Sequence, residues 1–198
     1  VLNGSAFDLP AGAVGITLKG SAGTRSIDSV SQRLTSSVVT DLSRDQRELQ
    51  LNVDLPLWRG SGDGEFTPRL GANFNQSYED ISDVGGLQTT GFGFNWSTGR
   101  LLRVIASMTD EQGAPTMQQL GGAIITTPFV RSFDFVRGET VEITRIDGGN
   151  ASLSADRREV LKLGIGSRPF EDIDLDLNAD YVRSRSRDVI SGLPLATP

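Results

Sequence analysis

The sequence predicts an all-β fold: an antiparallel transmembrane β-barrel, of which this chain supplies a part with about seven strands. Three observations predict it. Apolar and polar residues alternate along many segments, several segments reach 11 residues or more, and the connections alternate in length. Successive strand residues point to opposite faces, so each segment has one apolar and one polar face. Soluble strands peak near 5–6 residues, whereas a tilted membrane-crossing strand needs about 9–11.

The alternation is clearest in segments 49–57, 70–74, 92–96, 161–165 and 173–181. Residues 102–108 continue it less cleanly, because Ile105 lies in the polar phase beside Arg103. A Lys or Arg facing lipid near the midplane costs about 2–4 kcal/mol, which predicts that Arg69, Arg103 and Lys162 face a hydrated interior. We predict strands over residues 13–25, 44–57, 66–80, 87–97, 101–111, 159–168 and 173–186.

The connections differ between the two ends of the predicted strands. Residues 97–100, 168–172 and the Gly-rich 58–65 are short, and they share one end if every strand reverses direction. The other end carries residues 26–43, the short 81–86 and the long stretch 112–158. Short turns at one end and long loops at the other are typical of outer-membrane barrels. Aromatic residues near predicted strand ends would settle at the level of the lipid headgroups: Trp58, Tyr78, Trp96, Phe170 and Tyr181.

The composition excludes several classes of site. The 198 residues include no Cys and no His, so thiolate or imidazole metal ligands, disulfides and Ser-His-Asp triads are excluded. The net charge is -6, with 19 Lys and Arg mixed among 25 Asp and Glu, so a nucleic-acid partner is not expected. We expect no cofactor and no metal, and we expect that the chain is not an enzyme.

The chain contains no run of about 20 apolar residues, so no transmembrane helix is predicted. It starts at Val1 without Met and shows no signal peptide. We interpret both ends as internal to a longer protein.

Three segments, in order, resemble signatures of the TonB-dependent receptor family. Residues 101–120 are similar to its strand-then-loop signature, with Gly113 and Gln119 where Arg and Glu are usual. Residues 148–157 resemble the signature that returns the chain into a strand, although Ala151, Ala155 and Asp156 replace Pro, Pro and Glu. Residues 160–190 resemble the strand, turn and strand that follow. Residues 7–12 and 48–56 also look like family segments.

The resemblance implies that residues 1–198 are part of one receptor barrel in the outer membrane of a Gram-negative bacterium. A complete receptor has about 22 strands closed by an N-terminal plug. It takes up a scarce solute, such as a ferric siderophore, cobalamin or an oligosaccharide, with energy from the TonB complex. Expected partners are outer-membrane lipid, a small solute and, through the plug, the TonB complex. The plug and the C-terminal strands find no match here, so this part alone is not expected to transport.

The long stretch 112–158 carries the candidate ligand-binding residues: Phe129, Arg131, Phe133, Phe135 and Arg137. In an external loop, aromatic rings could stack on a ligand and Arg could bind anions. A loop that packs on itself or on the plug would explain the same residues. Alternation within residues 124–145 predicts that the loop contains its own hairpin.

Two charged clusters have competing interpretations. Asp172, Asp174 and Asp176 resemble the start of a calcium loop, but Leu177 occupies the position that requires Gly, so we interpret them as a hydrated strand face. Residues 183, 185 and 187 are all Arg. They would form a basic patch that attracts an anionic ligand or lipopolysaccharide phosphates, or a solvated strand end.

Two other functions remain open at this point. A soluble carbohydrate-binding β-sandwich shows the same alternation, with its apolar faces meeting in a core. A glycosidase that works with carboxylates alone would need two acids about 5–10 Å apart in a cleft.

Overall fold

The computed structural model of the chain describes residues 1–33, 36–61, 67–99, 101–170, 173 and 175–192. Within these ranges the chain is almost entirely strand, with a single short helix, and the all-β prediction is confirmed. The elements are β1 (Leu2–Leu9), β2 (Gly12–Arg33), β3 (Ser36–Arg59), β4 (Pro68–Ile81), β5 (Gly85–Thr98), β6 (Leu102–Gly113), α1 (Met117–Gly121), β7 (Ile125–Asp134), β8 (Glu139–Asp147), β9 (Asp156–Ser167) and β10 (Leu177–Arg187).

Eight of the described strands form one antiparallel sheet in the order β1-β2-β3-β4-β5-β6-β9-β10. Each strand pairs with its neighbour along the chain, except that α1 and a separate β7–β8 hairpin are inserted between β6 and β9. The sheet is open, with β1 and β10 as its edges in the described part of the chain. The seven predicted strands correspond to β2–β6, β9 and β10, and the hairpin predicted within the long loop is β7–β8.

The prediction that residues 26–43 form an external loop is wrong. β2 continues to Arg33 and β3 begins at Ser36, and the two pair in unbroken register as far as those residues. This stretch has no clean alternation, but it contains β-branched residues such as Ile27, Val30 and Val39, which favour extended backbone. Once the two strands are aligned, each further pair closes backbone hydrogen bonds at little additional cost, so the hairpin extends beyond the rest of the sheet.

A β-bulge at the end of β3 changes which residues lie on each face there, compared with the predicted alternation. The register between β3 and β4 shifts between Pro56 and Trp58, so that Trp58, not Leu57, lies opposite Leu70. A bulge inserts one extra residue and reverses the phase of the strand beyond it. Pro56, which has no N–H to donate, is a residue type expected at such an interruption.

The register produces an apolar face of the sheet. Directly paired residues in antiparallel strands lie on the same face. Large apolar side chains therefore line up across six strands. We define the apolar face by three rows of paired residues: Val53-Phe74-Phe92-Met108-Leu161, Leu55-Ala72-Phe94-Ala106-Leu163-Tyr181, and Trp58-Leu70-Trp96-Val104-Ile165-Ala179.

The opposite side, the polar face, has small and polar residues in the alternate rows. Two of these rows are Asp54-Asn73-Gly93-Ser107-Lys162 and Arg59-Arg69-Ser97-Arg103-Gly166. Arg69, Arg103 and Lys162 thus lie opposite the Leu and Phe rows, and a hydrated interior on that side stays a prediction. Asparagines lie across from glycines: a Cβ on Gly71 would come within 2.9 Å of Asn95 Oδ1. Glycine therefore leaves room on this face for a neighbouring amide side chain.

The fold has little enclosed core. Among the described residues only five hydrophobic side chains are buried, whereas 32 large ones are exposed. The accessible surface is 14136 Å², while a compact monomer of 21.2 kDa is expected to expose about 9,100 Å². The described residues therefore do not enclose most of their apolar side chains in an interior.

The buried side chains concentrate where the β6–β9 insertion folds over one end of the polar face. Ile81, Leu87 and Met117 are buried there, and α1 contacts β3 through Gly121 and Leu42. Arg44 of β3 is 8% exposed. Its Nη2 donates to Asp83 Oδ2 and to the carbonyl oxygen of Pro115, both at 2.8 Å. One guanidinium thus joins β3, the β4–β5 turn and the start of the insertion.

Replacing Arg44 with Ala is expected to release the insertion from the sheet. The change leaves the Asp83 carboxylate and the buried Pro115 carbonyl without this donor, so we expect a loss of about 1–3 kcal/mol in the free energy of unfolding. Hydrogen exchange of the amides of residues 114–122 should accelerate. The Arg103→Ala variant, which removes an exposed Arg of the same face, should change neither measurement. Unchanged exchange in the Arg44 variant would contradict this role.

Candidate functional site

The apolar face is unusual because many of its aromatic and aliphatic side chains are exposed. Phe92 is 54% exposed, Phe94 53% and Leu163 43%. In the described part of the chain, the substantial contacts between elements are those of paired strands and those of α1 with β3, and α1 lies over the polar face. The described residues therefore supply no second protein layer for the apolar face.

Aromatic residues lie near both ends of the apolar rows. Trp58 and Trp96 flank Leu70 at the short-turn end, and Tyr78 lies on the same face of β4 towards the other end. The nine residues from Leu70 to Tyr78 span about 27 Å along the strand. Phe170 lies in the β9–β10 connection and is exposed. Tyr181 is in the middle row of the sheet, where it is the last apolar residue on this face of β10.

The apolar face ends along a row of polar and charged residues towards the end that carries the insertion. Gln76, Thr90, Asp110, Glu159 and Arg185 are paired in sequence across β4, β5, β6, β9 and β10. They lie on the same side of the sheet as Phe92 and Leu161, two residues further along each strand. The apolar face is thus bounded by polar groups on β4 and β5 and by ionisable groups on β6, β9 and β10.

Two adjoining depressions lie on the polar face beneath the insertion, with volumes of about 550 and 680 Å³. They share Ile27, Thr116 and Gln118 in their walls. Arg25 and Glu79 also line the larger one. Within the described residues Arg25 has no ion-pair partner. This arrangement offers hydrogen-bond donors and acceptors, together with some apolar wall, to a polar solute.

Sequence analysis missed α1, which forms part of the wall of both depressions. The Thr116 side chain accepts a hydrogen bond from the Gln119 backbone N–H at 3.2 Å, and the Thr116 backbone N–H donates to Gln119 Oε1 at 2.8 Å. This reciprocal pair is a capping box. The pattern Thr-x-x-Gln at 116–119 was the available signal for the helix, within a segment that was interpreted only as a loop.

The five predicted ligand-binding residues lie on β7 and on the turn that follows it. The Phe133 and Phe135 rings contact edge to face, with centroids 5.1 Å apart. Arg137 Nη1 is 4.0 Å from Glu139 Oε1. Arg131 is paired with Glu142 of β8. Phe129 has a positive φ of 60°, lies at the register shift between Thr127 and Val130, and is 78% exposed. None of the five is among the residues that line the two depressions. Their role in ligand contact stays a prediction.

The acidic residues before β10 are only partly described. Asp172 and Asp174 lie outside the described residues. Asp176 precedes β10, which begins at Leu177, so the prediction that Asp176 lies on a strand face is wrong. Arg168 Nη2 donates to Asp176 Oδ2 at 2.7 Å. This hydrogen bond is the largest effect and lowers the pKa of Asp176 below its ordinary value; desolvation, the next largest, raises it, and the charge of Arg168 lowers it further. Elsewhere in the described ranges, no three acids are grouped as metal ligands.

The Asp176–Arg168 pair predicts an acid-dependent loss of stability in the β9–β10 connection. Because the folded-state pKa is depressed, the contribution is fully present above the unfolded pKa of about 3.9. It is lost as the pH falls through the lower folded value. The difference in unfolding midpoint between the wild type and Asp176→Asn should therefore be constant above pH 5 and disappear at strongly acidic pH. A difference that persists there would show that the carboxylate charge is not responsible.

Comparison of the chain with protein-family models, with curated proteins and with solved structures found no match. No helix in the described ranges has the length and hydropathy needed to cross a bilayer. The inference of function therefore depends on the two faces of the sheet and on the sequence signatures.

Proposed function

We propose that the chain forms part of the wall of a transmembrane β-barrel in the outer membrane of a Gram-negative bacterium, in a TonB-dependent receptor that takes up a scarce solute. The observation that carries the proposal is the apolar face: three rows of mostly large apolar side chains, aligned across five or six strands, over which the described residues place no second layer. Transferring each such side chain from water into an apolar medium contributes about 1.5–3 kcal/mol. Acyl chains would supply that medium.

Three features favour lipid over a second protein sheet. A β-sandwich needs another sheet of similar size, whereas the remaining described strands form only the small β7–β8 hairpin. Trp58, Trp96 and Tyr78 lie where the headgroups of two leaflets would be. The nine residues from Leu70 to Tyr78 on β4, which include Gln76 on the same face, match the length of about 9–11 residues that a tilted membrane-crossing strand needs.

The lengths of the connections at the two ends of the sheet indicate which end faces the cell exterior. The β1–β2, β5–β6 and β9–β10 connections share one end, and the long β2–β3 hairpin and the β6–β9 insertion share the other. Outer-membrane barrels have short periplasmic turns and longer external loops. We therefore infer that the insertion faces the exterior and that the polar face lines a hydrated lumen.

The receptor part of the proposal is supported by the resemblance of residues 101–120, 148–157 and 160–190 to family signatures. The depressions beneath α1 add a location at which a solute could be held, at the outer end of the polar face. Arg25 would donate to carboxylate, phosphate or hydroxyl oxygens of the solute.

Introducing a charge on the apolar face tests the membrane setting. In lipid vesicles, Phe94→Arg is expected to lower the free energy of unfolding by about 2–4 kcal/mol, because the guanidinium would face hydrocarbon near the midplane. The matched control is Asn95→Arg, which places the same charge one residue further along β5, on the polar face. The measurement is urea unfolding followed by tryptophan fluorescence.

Equal stability of the two variants would contradict the lipid-facing assignment. So would purification of the wild type as a monodisperse protein without detergent, since 32 exposed large hydrophobic side chains would then need another cover. That outcome would favour the soluble carbohydrate-binding sandwich.

The solute site is tested by equilibrium binding to the detergent-solubilised protein, with ferric siderophores, cobalamin and oligosaccharides as probes. We expect one class to bind and Arg25→Ala to weaken its affinity about tenfold, the effect of losing one charged hydrogen bond. Arg103→Ala, at the opposite end of the polar face, should bind as the wild type does. Binding that is insensitive to Arg25 would place the solute elsewhere, with the predicted residues on β7 as the next candidates.

A further inference from the structure

A basic cluster lies on the apolar side of β10 and begins at the end of an apolar row, where Arg183 is paired with Leu161. Arg183 is paired with Leu161, Arg185 with Glu159 and Arg187 with Arg157. Because Leu161 is on the apolar face, all three β10 arginines project to that side, each about 6.8 Å from the next. The cluster is at the end of the sheet that carries the β6–β9 insertion.

Two of these arginines lack acidic partners in the described part of the chain. Arg187 Nη2 is 3.5 Å from Glu159 Oε1, and the neighbouring Arg157 donates to both carboxylate oxygens of Asp110. Arg183 and Arg185 form no ion pair there. They are exposed cations whose charge the surrounding acids, already engaged by other arginines, do not neutralise.

Arg183 and Arg185 also border a surface pocket of about 210 Å³. Met108 and Leu161, which end the apolar rows of β6 and β9, form an apolar part of its wall. Glu159 also lines it, and its ion-pair partner Arg187 offsets its charge. The pocket therefore combines an apolar floor with two unpaired guanidinium groups.

We propose that Arg183 and Arg185 bind the phosphate headgroup of a membrane lipid whose acyl chain packs on Met108 and Leu161. A guanidinium can donate two parallel hydrogen bonds to a phosphate. The acyl chain would continue along the apolar face. The inference rests on the proposed function, and in that setting the pocket lies in the outer leaflet, so the occupant is the phosphorylated lipid anchor of lipopolysaccharide.

The position of the cluster favours a lipid over a soluble anion. A free phosphate would need only the two arginines, and the apolar floor would contribute nothing to its binding. The site adjoins the acyl-facing rows directly, with no intervening polar residue between Leu161 and Arg183 in the pairing of β9 and β10. A molecule with a phosphate joined to an acyl chain matches both parts at once.

The test uses the full chain in detergent micelles with fluorescent lipid A as the probe. The double variant Arg183→Gln/Arg185→Gln should bind lipid A at least tenfold more weakly than the wild type. The matched control Arg69→Gln/Arg103→Gln removes two exposed arginines of the polar face and should bind as the wild type does. Arg183→Lys/Arg185→Lys should recover part of the loss, because charge returns without the planar guanidinium. Inorganic phosphate and phosphatidylcholine should not displace the probe.

Two results would overturn the inference. One is wild-type affinity for lipid A in the Gln double variant. The other is displacement of the fluorescent lipid A by inorganic phosphate at concentrations similar to those of lipid A, which would indicate a simple anion site. The comparison of Phe94→Arg with Asn95→Arg in vesicles tests separately whether the apolar face lies in a membrane. If that comparison succeeds while the Gln variant binds normally, only the lipid site is wrong. If the protein fails to enter vesicles, the membrane function and the lipid site fail together.

Discussion

The whole architecture depends on one constraint: a single-layer sheet with one apolar face must meet an apolar medium on that side. Antiparallel pairing between chain neighbours closes the backbone hydrogen bonds without any second layer, so the backbone does not require a core. The same pairing aligns Phe74, Phe92 and Met108 in one row, which concentrates exposed apolar surface on one side of the sheet. Strand register, and not local composition, thus creates the apolar face.

The β6–β9 insertion is held against the polar face without a large apolar core. Only a few apolar side chains, among them Ile81 and Met117, are buried under the insertion. Arg44 adds directional bonds from β3 to Asp83 and to the Pro115 carbonyl. A polar clamp of this kind fixes α1 relative to the sheet, and the rest of the insertion extends into a hairpin that makes few contacts.

Alternation predicted the strands whose apolar phase is strict, such as β4 and β9, because a two-residue period depends only on the facing of side chains. Alternation failed where pairing with a neighbouring strand, and not the local hydrophobic pattern, determines the structure. Residues 26–43 extend a hairpin that was already aligned, and the bulge at Pro56 reverses the phase at Leu57. The depressions beneath α1 could not be predicted, since they combine Arg25, Glu79 and Gln118 from three elements that only the folded sheet brings together. The helix, by contrast, had a local signal in Thr116 and Gln119.

The edges of the sheet set the last condition on a lipid-facing wall. β1 and β10 each have one side without a paired strand among the described residues, and in hydrocarbon every unpaired backbone N–H or C=O costs several kcal/mol. A lipid-exposed sheet therefore needs a partner strand on each edge, from the same polypeptide or from another copy. A strand added beside β10 would extend the rows that contain Tyr181 and Arg183, and with them the boundary between the apolar face and the basic cluster.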